Sequence, residues 1–106
     1  MGPFGVMGGF MQPQGHVQVL VNTIDFAMNP QEALDAPRFQ WVGGKTVELE
    51  KEVPEAVVRE LKRRGHEIVR TETNMNMGRG QIIWRNREGV LCGGTESRAD
   101  GMAAAF

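Results

Sequence analysis

Cysteine is nearly missing from this chain: Cys92 is the only one in 106 residues, so no internal disulfide can form and the redox compartment stays undecided. Cys92 follows Val90 and Leu91 in an apolar, strand-like run, which reads as a small buried hydrophobe rather than a reactive thiol. Histidine is almost as scarce. His16 and His66 stand alone in their segments and Cys92 has no companion at a ligand spacing, so no metal site is expected. Ser97, His16, Asp25 and Cys92 can be combined on paper into a hydrolytic triad, but no spacing favours it and there is no G-x-S-x-G elbow. A G-x-G-x-x-G run and a Gly-Lys-Ser/Thr loop are also lacking, and no cofactor is implied. Neither sign of charge dominates. With 12 Lys+Arg against 13 Asp+Glu the net charge is −1, which gives no general reason to expect nucleic acid or an anionic membrane surface as partner. No apolar run approaches the ~20 residues that span a bilayer. No basic stretch followed by an apolar core opens the chain. These absences leave the compartment open, cytoplasmic as well as periplasmic or extracellular.

What the chain does have is one strongly organised stretch, Phe4 to Asn29. A short apolar run, Phe4 to Met7, stops at Gly8-Gly9, and the chain turns through Met11-Gln12-Pro13. Val17, Leu20, Val21, Ile24 and Met28 then recur at helical spacing, and Pro13 suits a first helical turn. The pattern predicts strand, glycine turn and a helix over Gln12–Met28. Apolar residues fall on both sides of that helix, Val19 and Phe26 opposite the main stripe, so both sides call for cover and the chain is expected to associate with itself or with a larger protein.

Two glycines at a strand-to-helix turn admit two readings. One is a tight turn and nothing more. Without a Cβ they also let backbone N–H groups approach a ligand, beside a helix N-terminus whose partial positive charge suits a carboxylate, a phosphate or a developing oxyanion. Gln12, Gln14 and His16 follow at alternate positions. They are candidates for binding an amide or carboxylate substrate; the alternative is that the glutamines cap the helix and His16 hydrogen-bonds within a mixed core.

Further along, Asn29-Pro30-Gln31-Glu32 carries a helix start with a capping box, and Pro37 ends that short helix. Arg38–Val42 and Thr46–Glu50 alternate as strands about Gly43-Gly44. A helix is expected over Pro54–Arg64, with a Glu55–Arg59 pair, a basic end and Gly65 beyond it. His66–Thr71, Gln81–Arg85 and Val90–Cys92 read as strands, with Glu72–Gly80 weakly structured. Met75 and Met77 in that stretch are expected to line a cleft or to be packed by a partner. No internal repeat or linker breaks the chain, so residues 1–106 read as one domain or part of one. The expected class is α+β: an antiparallel sheet of at least four short strands covered by the Gln12–Met28 and Pro54–Arg64 helices.

The run from Met7 to Phe39, MGGFMQPQGHVQVLVNTIDFAMNPQEALDAPRF, resembles the C-terminal region of the gamma-glutamyltranspeptidases and their acylase-like relatives, and the likeness resumes in GGTESRADGMAAAF. It covers nearly the whole chain, most weakly between Gly43 and Gly78. The resemblance implies membership of the N-terminal-nucleophile hydrolases, whose precursors cut themselves to expose a nucleophilic Thr, and hence part of an αββα sandwich. It implies acyl transfer from, or hydrolysis of, a gamma-glutamyl or related amide, with Gly8 and Gly9 as backbone donors of an oxyanion hole. Typical family members have Pro-Gly-Gly-Ser-Arg where this chain has Met7-Gly8-Gly9-Phe10-Met11, so only the glycines carry over. The nucleophile is expected upstream of Gly8; Thr23 and Thr46 lie in the wrong context. The chain is therefore expected to be the C-terminal part of the small subunit and inactive alone. Its expected partners are the large subunit, the rest of the small subunit and the small-molecule substrate. Glu96 to Gly101 would be a closing tail, stabilised by an Arg98–Glu96 or Arg98–Asp100 pair worth only ~0–1 kcal/mol if exposed. The rival reading is a non-catalytic α+β module that binds a partner through an apolar sheet face.

Overall fold

The computed structural model describes residues 1–105. In chain order the elements are β1 (Phe4–Met7), α1 (Met11–Ile24), α2 (Pro30–Asp35), β2 (Phe39–Gly43), β3 (Thr46–Leu49), α3 (Glu55–Arg63), β4 (Glu67–Arg70), β5 (Arg79–Arg85) and β6 (Leu91–Thr95). They gather into two compact units: residues 1–36 with 78–105, and residues 37–77.

In the first unit β1, β5 and β6 form an antiparallel sheet in the order β1-β5-β6, with Val6 opposite Gly80 and Ile82 opposite both Phe4 and Gly94. Val6, Val19, Ala33, Leu34 and Ile82 make its core. The start of α2 follows from local chemistry. The Asn29 side chain accepts from the Glu32 N–H at 2.9 Å, and the Glu32 carboxylate accepts from the Asn29 N–H at 3.0 Å, with Pro30 at the first helical position. This capping box satisfies two N–H groups that a helix start otherwise leaves without partners. Gln31 on α2 then docks on β6: its amide accepts from the Thr95 N–H and donates to the Thr95 carbonyl.

In the second unit β2 pairs antiparallel with β3, and α3 carries the chain over to β4, which pairs parallel with β3. Val47, Leu49 and Val58 form the centre of this core. Phe39 and Trp41 remain largely exposed, and a cleft of about 410 Å³ opens over Phe39, Val47, Leu49, Val57 and Leu61. On the outer side of α3, Arg63 and then Arg64 hydrogen-bond the Glu60 carboxylate and hold it below the usual carboxylate range. Glu55 pairs with Arg70 at 2.8 Å rather than with Arg59 as expected.

The α+β class expected from the sequence is the one observed. The expected single sheet of four or more strands is instead two sheets of three, one of them mixed. Residues 37–77 pair among themselves, and a helical crossover between adjacent strands makes them parallel. Helix α1 ends at Ile24, four residues early. Ala27 adopts a left-handed φ of 53°, and the Phe26 and Met28 N–H groups reach back to Val21 and Asn22. Cys92, expected to be buried, is exposed on the sheet-edge strand β6, because α2 covers that strand only from Gly94 on. Met77 is fully buried while Met75 is exposed.

Candidate active site

The turn that joins β1 to α1 is built from backbone alone. The Gly8 carbonyl accepts from the Met11 N–H at 3.0 Å, and the Gly9 carbonyl accepts from the Gln12 N–H at 3.1 Å. Gly9 has φ +60°, a left-handed conformation that a Cβ makes about 1–2 kcal/mol less favourable. A Cβ there would meet no atom within 4 Å, so the space above the turn is open. Gly8 is glycine for a different reason: a Cβ on it would lie 3.0 Å from the Gly78 Cα and 3.2 Å from the Met11 Cβ. Close backbone approach fixes that residue.

Among the described residues, the N–H groups of Gly8 and Gly9 donate to no turn, cap or side-chain acceptor. Helix α1 starts with no side-chain cap and no acidic residue in its first turn. Its dipole is therefore uncompensated where the two free donors lie, the arrangement that favours negative charge at a helix start. Phe10, 95% exposed, and Met7 flank the turn with apolar surface.

Of the three polar candidates beyond the turn, His16 is held by the fold. Gln12 is exposed, and Gln14 and His16 are half-buried. Both ring nitrogens of His16 are engaged: one meets the Gln12 carbonyl at 2.6 Å, and the other accepts from the Val6 N–H at 3.3 Å. That pattern needs the Nδ1–H tautomer, with Nε2 as acceptor. The ring also packs at 5.4 Å from Phe4. β1 is the free edge of its sheet, and His16 covers an N–H that would otherwise be exposed there. Gly15 brings the helix close enough for this, since a Cβ on it would lie 2.7 Å from the Val6 side chain.

The same unit holds the Arg98–Glu96 contact expected of the closing tail. The Glu96 and Arg98 side chains are 0% and 5% exposed, and Arg98 Nη1 lies 2.5 Å from Glu96 Oε1. Of the two expected pairs it is Arg98–Glu96 that forms, and it is buried, so the ~0–1 kcal/mol of an exposed pair does not apply to it. An acidic residue two positions before an arginine, after Gly93-Gly94, was the only signal for it in the sequence.

The turn thus sets a left-handed glycine and two unengaged backbone N–H groups just ahead of a helix without a side-chain cap. Comparison with known proteins gives the wider class. The gamma-glutamyltranspeptidase family model matches residues 1–106, and the chain belongs to that family. It is 43% identical over 90 residues to the Acylase ACY 1 proenzyme of Pseudomonas sp. (strain SE83), covering 85% of this chain and 16% of the relative. It is 32% identical over 108 residues to the Glutathione hydrolase-like YwrD proenzyme of Bacillus subtilis, covering 94% of this chain and 20% of the relative. Among solved structures, the cephalosporin acylase of Bacillus halodurans superposes with a TM-score of 0.97 at 60% identity, over all of this chain and 20% of that one. The chain thus spans a fifth or less of each of these relatives.

Proposed function

We propose that this chain is the C-terminal portion of a gamma-glutamyltransferase- or acylase-like enzyme, and that Gly8 and Gly9 form its oxyanion hole. In this reading the acyl group of a gamma-glutamyl or related amide is attacked by a Thr outside residues 1–106, whose own amino group serves as base. As the carbonyl carbon becomes tetrahedral its oxygen gains negative charge. The Gly8 and Gly9 N–H groups and the N-terminal end of α1 stabilise that charge in place, with no reorganisation. The same donors serve when water or an amine attacks the acyl-enzyme, so the cradle suits hydrolysis and transfer alike. The remainder of the enzyme is the proposed partner and supplies the walls of the site. No step calls for a metal or cofactor.

The observation that carries this reading is the turn itself, with two donors unused by the fold and open space above Gly9. Gly9→Ala in the full-length protein is the test. Left-handed strain should cost about 1–2 kcal/mol of stability, while turnover falls on the order of a hundredfold, the effect of one lost oxyanion donor, because the new Cβ crowds the acyl group above the turn or relief of the strain swings the Gly9 N–H away. A turn with only a structural role predicts lower stability and unchanged turnover per folded molecule.

A further inference from the structure

We propose that Glu96 is a positioning residue for the Gly8–Gly9 turn, acting through the Gly78–Gly80 segment that supports it. The inference rests on the oxyanion reading for its catalytic consequence, but not for its mechanical one.

The segment after Met77 runs directly beneath the turn. Gly78 has φ +79°, and a Cβ on it would lie 2.8 Å from the Val6 side chain and 3.0 Å from the Met7 carbonyl oxygen. A Cβ on Gly8 would meet the Gly78 Cα at 3.0 Å. Turn and support are in backbone contact, with no side chain between them to absorb a shift. Two residues on, Gly80 is fixed from the opposite side. Its N–H donates to Glu96 Oε2 at 2.8 Å, and a Cβ on it would lie 2.6 Å from Leu34 Cδ2. The other carboxylate oxygen holds Arg98, which in turn donates to the Leu34 carbonyl at 2.7 Å and the Ala36 carbonyl at 3.0 Å. One buried pair therefore ties the end of α2, where the chain leaves this unit, to the start of β5, where it returns.

Stability alone does not account for such a pair. Desolvating two charges offsets most of their attraction, and well-packed apolar replacements are often as stable. A carboxylate does supply one thing that an apolar side chain cannot, a fixed acceptor that sets where Gly80 sits. Through Gly78, that sets the height of the turn.

The test compares Glu96→Gln with wild type in the full-length protein and reads three quantities. Amide exchange at Met11 and Gln12, whose N–H groups close the turn, should speed up by about tenfold or more as local opening becomes easier. The kcat should fall about tenfold to a hundredfold with KM within a few-fold, as expected when a remote change misplaces catalytic groups. Folded content, read by near-UV circular dichroism, should match wild type. Should Glu96→Gln not fold, Arg98→Lys, which keeps the charge but not the two-carbonyl grip, takes its place with the same readouts. Wild-type exchange at Met11 and Gln12 in a folded variant would overturn the proposal. Faster exchange with normal kcat would uphold the mechanical link and count against the oxyanion hole, so the two readings fail separately.

Discussion

His16 shows how a residue suited to chemistry can be used by the fold. An imidazole beside a candidate oxyanion turn invites a substrate-binding role, yet its two nitrogens meet the Gln12 carbonyl and the Val6 N–H. Removing it leaves a part-buried backbone donor without its partner, which costs about 1–3 kcal/mol. His16→Ala should therefore lower stability by that amount in denaturant unfolding, with KM for the amide substrate unchanged. A several-fold rise in KM at unaltered stability would restore the substrate-binding reading. Gly8 and Gly9 differ in the same spirit. One is small because Gly78 lies against it, and the other because its backbone is left-handed.

At the scale of elements, α1 carries a consequence of its own. Its buried face consists of Met11, Gly15, Gln18 and Val19, while Val17, Val21 and Ile24 of the apolar stripe point away from the unit's core. The stripe was legible in the sequence; which side would meet β1 was not. Gly15 decides it, because only there can the helix approach Val6, and a glycine contributes nothing to a hydrophobic periodicity. The capping box at Asn29 and the strand–glycine–helix order were fully readable, since both depend on neighbours in sequence. The pairing of β1 with β5 and the burial of Glu96 and Arg98 depend on residues far apart in the chain, and no local pattern announces them. The outward stripe also gives a prediction. Ile24 is 60% exposed here. If the rest of the enzyme covers it, Ile24→Ala in the full-length protein should destabilise by about 2–5 kcal/mol, as for a buried residue. A change within about 0.5 kcal/mol would mark the stripe as a free surface.

For the whole molecule, the central claim is that a chain spanning a fifth or less of the three relatives named above contributes backbone donors to catalysis. Among the described residues no group of three or more His, Cys, Asp or Glu is placed to hold a metal. The exposed stripe on α1 fits a piece that is completed by a larger body, and the lack of an acidic side chain in the first turn of α1 suits a nearby anion. The most direct measurement is a crystal structure of the full-length protein carrying a tetrahedral boronate or phosphonate adduct on its nucleophile. The account predicts the adduct's oxyanion about 2.7–3.1 Å from the backbone nitrogens of Gly8 and Gly9, the range for such donors. An adduct whose oxygen is held by other groups, with the Gly8–Gly9 turn facing solvent, would contradict it.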